Sequence, residues 1–271
     1  VFEKGQIEGN IKINFDNTGR VKDDYIIEGS IYNFNAKILK KFNVNQTDAR
    51  FKLFKNHYSV YLVKGNINDI DLANSEFEIN QENKNFNVNG NLVSRANLKN
   101  IQNTLDLFQI NLLQGKVDKS EISFDLKSSI SFQLEKYIKV KNLKINGDGK
   151  IHYLNIQHKI NTSKLKEMFT NYNDSFQITD TEIKFSSDSN KQDFELKGLI
   201  NLTNEYENFQ SKLIFDKKKN NTNFDVNINI NSSIIKFPNL NYKKEINDKA
   251  SIKFKGNRKK NEGYNFEVIE F

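Results

Sequence analysis

The sequence contains no cysteine, no tryptophan, one proline (Pro238) and one methionine (Met168) among its 271 residues. The lack of cysteine excludes a disulfide framework, a thiolate zinc site and a thiol nucleophile. With a single proline and no Ser- or Gly-rich stretch, the chain shows no linker that would separate domains. We therefore expect residues 1–271 to form one continuous unit.

Apolar residues are also scarce. They make up 37% of the chain and the mean hydropathy is -0.70, which is low for a domain with two fully packed layers. The 22 Phe and 10 Tyr nevertheless argue against disorder. The sequence has no apolar run of about 18 residues and its first residues form no signal-peptide core. Because it begins at Val1, we interpret it as a segment of a longer polypeptide.

Arginine is rare although the net charge is +7. Only four of the 41 basic residues are Arg, whereas readout of nucleic-acid bases favours Arg. The densest basic runs, Lys217–Lys219 and Arg258–Lys260, have no interleaved aromatic residue and are expected at hairpin tips. There they would keep strand edges soluble, with weak attraction to anionic headgroups as a secondary effect. We predict no binding to nucleic acid.

Residues for catalysis or metal binding are few. The three histidines are His57, His152 and His158, and no third ligand accompanies the last two. The sequence contains no nucleophile elbow, phosphate-binding glycine loop, dinucleotide fingerprint or His-Glu-x-x-His motif. We therefore predict no enzyme activity, no catalytic residue, no metal and no cofactor.

Alternation of apolar and polar residues runs through most of the chain, which is typical of strands with one apolar face. It begins at Ile7, turns at Asp16–Gly19 and resumes at Val21, and a change of parity before Phe34 indicates a β-bulge. From Ile122 to Leu134 one parity is kept for 13 residues, longer than an average strand. Helical spacing near residues 95–108 and 162–170 predicts two short helical insertions.

A glycine lies between apolar residues in several of these strands, as in Ile7-Glu8-Gly9-Asn10-Ile11. The same arrangement recurs around Gly29, Gly90 and Gly198. Since glycine weakens a strand, its recurrence indicates either tight sheet coiling or room for a ligand on the apolar face. The alternative is that glycine fills small sites in an ordinary β-sandwich.

Together these features predict an all-β fold with one or two short helices. We expect a long, strongly curved, mostly antiparallel sheet that forms an open apolar groove, because too few apolar residues are available to cover its face. An acyl chain could occupy such a groove. The residues predicted to line it share the apolar parity of their strands and are Ile11, Ile13, Phe15, Ile27, Ile31, Val88, Leu92, Phe124, Leu126, Ile130, Phe132, Ile145, Ile151, Phe194, Leu196, Ile200, Val226, Ile228, Ile230, Ile252 and Phe254.

The glycine-centred strands, the opening Ile7–Ile13 with Gly19–Tyr25 and Gly29, and the Asn97–Ile101 helix before a new run of strands resemble the AsmA/TamB/YhdP-like proteins of Gram-negative envelopes. These are similar to bridge-like lipid-transfer proteins built from repeated β-sheets. The resemblance implies a periplasmic β-groove, tethered to the inner membrane by a segment outside this chain. It also implies that the groove conducts phospholipids toward the outer membrane or supports outer-membrane assembly.

Two expectations follow from this interpretation. The partner would be a phospholipid or another acyl lipid, and contact with a membrane would come from parts outside this chain. A charge at Phe132 or Ile228 would impair transport more than folding, because the groove is open. The alternative is a structural or adhesive β-repeat of a surface protein, which would bury its apolar face within a sandwich.

Overall fold

The structure is a computed structural model. The structure describes residues 2–38, 42–82, 85–96, 121–135, 139–157, 163–172, 175–201, 203–237, 241–259 and 263–270. Nearly all of these lie in strands, as the alternation predicts. The expected helix near residues 95–108 falls mostly outside the described residues, whereas the second is present as α1 (Ser163–Met168). The prediction of an all-β fold with a short helix is confirmed.

Fifteen strands form one sheet in the order β1-β2-β3-β4-β5-β7-β8-β9-β10-β11-β12-β13-β16-β17, with β6 paired to β4 and β7. The paired strands for which a register is described are antiparallel. The bounds of the first nine strands are β1 Phe2–Lys12, β2 Ile26–Ile38, β3 Phe42–Phe54, β4 His57–Ile67, β5 Ile70–Asp71, β6 Ser75–Glu82, β7 Asn85–Ala96, β8 Glu121–Glu135 and β9 Lys139–Gln157. The others are β10 Ser175–Ser187, β11 Lys191–Asn201, β12 Tyr206–Asp216, β13 Asn221–Ile230, β14 Ile235–Phe237, β15 Tyr242–Lys244, β16 Ala250–Lys259 and β17 Gly263–Glu270.

The chain divides into two compact units. Unit 1 comprises Val1–Gln114 and Leu126–Gly147, and unit 2 comprises Gly115–Asp125 and Asp148–Phe271. The expectation of a single continuous segment of a larger protein stays a prediction.

The turn after β1 forms where the sequence predicts it. Gly19 has a φ of 80° and donates its backbone N–H to the Asp16 carbonyl at 3.0 Å. The Asp16 carboxylate accepts hydrogen bonds from the Thr18 hydroxyl and from the backbone of Thr18 and Arg20. These bonds, the Thr18 hydroxyl foremost, lower the pKa of Asp16. An Asx turn therefore starts this hairpin.

The predicted β-bulge is also present. The register of β2 against β3 shifts between Ile31 and Phe34, and Asn33 has a φ of 49°. The backbone N–H of Asn33 donates to the Asp48 carboxylate at 2.7 Å, which is the largest cause of the lowered pKa of Asp48. A side chain on the neighbouring strand thus satisfies a backbone donor at the bulge.

Candidate functional site

The apolar face of unit 1 consists of three rows of side chains that cross six neighbouring strands. Residues opposite each other in an antiparallel pair point to the same side of the sheet, so the strand register assigns the rows. The first contains Ile11, Ile27, Leu53, Tyr58, Ile79 and Val88. The second row contains Gly9, Gly29, Phe51, Val60, Phe77 and Gly90. The third row runs from β1 to β6 and contains Ile7, Ile31, Ala49, Leu62 and Ser75.

This face has no second layer over it among the described residues. Within the described elements of unit 1, substantial contacts join only strands that neighbour each other in the sheet. Ile7 and Ile11 of the edge strand β1 are each 64% exposed and Phe51, Val60 and Phe77 are half-buried, whereas Ala49, Leu62, Ser75 and Val88 of the same rows are buried among their neighbours. Unit 1 therefore presents a broad apolar surface rather than one sheet of a sandwich.

Most of the predicted lining residues of unit 1 lie on this apolar face, and two of them, Ile13 and Phe15, do not. Leu92 lies in β7 at the same parity as Val88. Ile130 of β8 is on the same face as Gly90, because a Cβ added to Gly90 would lie 3.2 Å from Cγ2 of Ile130. Leu126, Phe132 and Ile145 keep the less exposed parity of β8 and β9. The lining prediction is not met for Ile13 and Phe15, because β1 ends at Lys12; both lie in the hairpin loop, where Phe15 forms an isolated bridge with Val21.

The apolar face of unit 2 follows the same principle. One row contains Ile183, Leu196, Ser211, Val226, Phe254 and Ile269, and the next contains Phe185, Phe194, Leu213, Phe224, Gly256 and Phe266. A third row passes through Gly198, Phe209, Ile228 and Ile252. Phe124 and Ile151, on β8 and β9, are buried parts of this unit.

A small cap covers one end of this second face. The cap comprises α1 with residues 169–172 and the hairpin β14–β15, joined by a bridge between Phe169 and Ile235. These two side chains pack with four residues of the sheet into a buried cluster of Phe169, Ile200, Phe209, Ile228, Ile230 and Ile235. The expectation that Ile200, Ile228 and Ile230 line an open groove is therefore corrected. They are on the apolar face, but the cap closes over them.

Sequence reasoning missed the polar contacts that hold the cap. Glu207 lies opposite Ile200 on the apolar face and is 1% exposed. Its carboxylate accepts backbone N–H groups of Asn231, Ser232 and Ser233 at 2.9, 2.9 and 2.6 Å. The sequence did contain a signal for this contact, namely a glutamate among the apolar positions of β12. A carboxylate buried at such a position needs hydrogen-bond donors around it.

A buried lysine complements this carboxylate. Lys244, at the end of β15, is 1% exposed, and its ammonium donates to three backbone carbonyls at 2.8 to 3.2 Å. Two of these carbonyls, of Asn231 and Ser233, belong to the same bend whose N–H groups bind Glu207. The bend between β13 and β14 is thus held from both sides, and the cap depends on it.

Two of the strand glycines, Gly90 and Gly256, lie against aromatic side chains of the adjacent strands. Gly90 lies opposite Phe77, and a Cβ on Gly90 would stand 2.9 Å from Cδ1 of that ring. Gly256 lies opposite Phe224, and its Cβ would stand 3.0 Å from Cζ. A neighbouring ring therefore fills the space of the absent side chain, a known device for stabilising glycine in sheets. At these two positions the room is not free for a ligand.

We expect Gly29→Ala to lower the free energy of unfolding by about 1–3 kcal/mol, because the new methyl would contact the Glu8 carbonyl oxygen and stand 2.8 Å from Cα of Gly9. Gly65→Ala is the control, since its nearest neighbour is the flexible Leu62 side chain at 3.4 Å. Urea unfolding measures both. A control that destabilises as much as Gly29→Ala would contradict the proposed close contact of β1 and β2.

The opposite face of unit 2 is polar and carries alternating charges. Lys212 bridges to Glu195 at 2.6 Å, and the hydrogen bond from this carboxylate raises the pKa of Lys212. Lys150 likewise bridges to Asp180 at 2.8 Å and lowers the pKa of that carboxyl. Depressions of about 450 and 510 Å³ on this face are lined mainly by Asn, Gln, Lys and acidic residues. They suit polar groups rather than acyl chains.

Two histidines are accounted for by ordinary contacts. His57 lies 2.8 Å from the Glu78 carboxylate and 2.7 Å from the Asn80 amide oxygen. His152 lies 3.0 Å from Asp125, and His158 is outside the described residues. Within the described ranges, no group of three or more His, Asp or Glu could hold a metal ion. The absence of catalytic residues and cofactors stays a prediction.

No protein-family model, no curated protein and no solved structure matches this chain. Among the described residues, no helix is long and apolar enough to cross a bilayer. Any assignment of function therefore depends on the geometry of the two apolar faces.

Proposed function

We propose that this chain is a β-groove segment of a lipid-transfer protein whose apolar face binds the acyl chains of phospholipids. The observation that carries the proposal is the apolar face of unit 1, where apolar residues of six adjacent strands line up and no other described residue forms a layer over them. Neighbouring strands are about 4.8 Å apart. The face is therefore wide enough for an extended chain to lie across several strands.

Burial of methylenes supplies the binding energy in this proposal. Each buried CH₂ is worth about 0.8 kcal/mol, so a chain of about 16 carbons gives roughly 13 kcal/mol of gross transfer energy. Exposed side chains such as Ile7 and Ile11 would lose contact with water at the same time. Specific polar contacts are not required, which agrees with a first row whose polar group is the Tyr58 hydroxyl, already bound to Gln81.

The cellular setting follows from the sequence resemblance alone. By that resemblance the segment is periplasmic, is tethered to the inner membrane through residues outside this chain, and conducts phospholipid toward the outer membrane or supports its assembly. It acts without catalysis. The partners would be phospholipid or another acyl lipid, and not nucleic acid.

The proposal is tested by native mass spectrometry and lipid extraction of the purified chain. We expect bound phospholipid, and at least a fivefold loss of it in the double variant Ile11→Asp and Ile31→Asp, because charge on the face disfavours acyl chains. The control is Asn10→Asp with Ser30→Asp, which places the same charges on the opposite face of β1 and β2. Lipid-free wild-type protein, or equal loss in both variants, would refute the proposal.

A structural or adhesive β-repeat is the second candidate. The buried cluster beneath the cap favours it, because such a core stabilises a fold without any ligand. The polar face of unit 2, with its depressions lined by amides and charges, would then be the surface that contacts a partner. Purified protein that folds fully and never carries lipid is the result expected of this candidate.

A further inference from the structure

Basic hairpin tips gather at one end of unit 2. The β12–β13 tip carries Lys217, Lys218 and Lys219, and the backbone N–H of Lys217 donates to the Asn190 carbonyl of the β10–β11 tip at 2.8 Å. On the other side, Asn221 of β13 pairs with Lys259 of β16. The ends of the strand pairs β10–β11, β12–β13 and β16–β17 therefore lie side by side. We call this the tip end of unit 2.

The tip end carries excess positive charge among its described residues. Its cations are Lys191, Lys217, Lys218, Lys219, Arg258 and Lys259, and its acids are Asp188, Asp193 and Asp216, which leaves a net charge of +3. All three acids are engaged locally. Asp193 bridges to Lys191 at 3.0 Å, Asp216 bridges to Lys219 at 4.0 Å, and Asp188 accepts the backbone N–H groups of Asn190 and Lys191. Lys218 and Lys259 are exposed to solvent.

Aromatic rings lie directly behind these tips on the apolar face. The rings concerned are Phe185, Phe194, Phe215, Phe224, Tyr264 and Phe266, which occupy the two rows of the sheet next to the tips. Tyr264 is 63% and Phe266 49% exposed, whereas Phe224 is buried against both of them. The cap lies over the other end of the same strands, so the aromatic rows stay uncovered among the described residues.

Arg258 links the aromatic rows to the charged tips. It pairs with Tyr264 across β16 and β17, and its guanidinium lies 5.4 Å from the centre of the Tyr264 ring. A cation stacked on an exposed ring, beside further rings and lysines, matches the order of groups at a membrane interface. There the rings lie at headgroup depth while Lys and Arg contact anionic lipid.

We propose that the tip end of unit 2 docks on the surface of an anionic phospholipid bilayer. This inference rests on the proposed function, because a lipid-conducting face needs an end that meets a membrane. It adds a contact within this chain to the contact expected from parts outside it. Docking would place the uncovered aromatic rows against the headgroups, with the capped end directed away.

The experiment is vesicle flotation with the purified chain. We expect binding to vesicles of about 30% phosphatidylglycerol in phosphatidylcholine, and at least tenfold weaker binding to pure phosphatidylcholine, because each surface cation contributes to attraction by anionic lipid. Binding should also fall at about 0.5 M NaCl, where screening shortens the reach of charge. Equal binding to both vesicles would overturn the inference.

Matched variants localise the contact. The triple variant Lys218→Gln, Arg258→Gln and Lys259→Gln should weaken flotation at least tenfold. Its control removes the same charge from unit 1 and should leave flotation within about twofold; it is Lys12→Gln, Lys127→Gln and Lys144→Gln.

The aromatic rings are tested in the same way. Tyr264→Ser with Phe266→Ser should weaken flotation, whereas Tyr61→Ser with Val63→Ser, on the face of β4 opposite its apolar row, should not. Equal loss in a variant and its control overturns the inference.

The amount of lipid that co-purifies with the protein, measured without vesicles, separates the docking inference from the proposed binding of acyl chains. Tip variants that lose flotation but keep co-purified lipid support both docking and the acyl-binding face. If wild-type protein floats but never carries lipid, the proposed function fails while docking stands. If it carries lipid but does not float, only the docking inference fails.

Discussion

Ile230→Asp should unfold unit 2, whereas Ile11→Asp should leave the fold intact. Ile230 is 0% exposed in the cluster beneath the cap, and Ile11 is 64% exposed on the uncovered face of unit 1. An unpaired carboxylate in a packed core costs several kcal/mol, against a total stability of about 5–15 kcal/mol for a typical domain. Thermal unfolding followed by circular dichroism measures both variants.

The same reasoning replaces our sequence-based expectation for Ile228. That residue is 7% exposed and packs with Ile230 and Phe209, so a charge there should damage folding before it affects any lipid. Phe132 in β8 is half-buried, and there the original expectation stands. If Ile230→Asp melts like the wild type, the cap does not close a core and unit 2 is as open as unit 1.

Removing the carboxylate of Glu207 should cost about 3–5 kcal/mol of unfolding free energy. A hydrogen bond to a charged group is worth about 1.5–3 kcal/mol, and the losses are not additive when one carboxylate makes all three bonds. Glu207→Ala would strand three backbone N–H groups of the bend before β14. The expected result is a lower urea midpoint, together with faster proteolysis between residues 231 and 246.

Glu205→Ala is the matched control for this experiment. Glu205 has the same side chain two residues earlier in the chain, but it is exposed, so its loss should change stability by less than about 0.5 kcal/mol. A cost below about 1 kcal/mol for Glu207→Ala would contradict the view that this carboxylate holds the cap.

Strands and their faces could be predicted because period-two alternation is a local property. The turn at Asp16–Gly19, the bulge before Phe34 and the long β8 all appear where the residue pattern places them. The helix at Ser163–Met168 was predictable for the same reason. Each of these features depends on neighbours within a few positions.

The boundary of the first strand shows where local pattern stops being sufficient. Ile13 and Phe15 continue the parity of Ile11, yet β2 begins pairing only at Ile26, opposite Lys12. Alternation persists into the hairpin loop without a partner strand. Strand ends depend on pairing, which a single strand's sequence does not contain.

The sequence by itself determined which side chains share a face, since alternate residues of a strand must point to opposite sides of a sheet. Only the tertiary structure decided which parts of that face are covered. Ile11 and Ile230 belong to the same kind of alternating strand, but one is open to solvent and the other lies under Phe169 and Ile235. A face becomes covered through contacts between residues that are far apart in the chain, such as those of Glu207 with the bend at residues 231–233. Contacts of this kind leave no periodic pattern in the sequence.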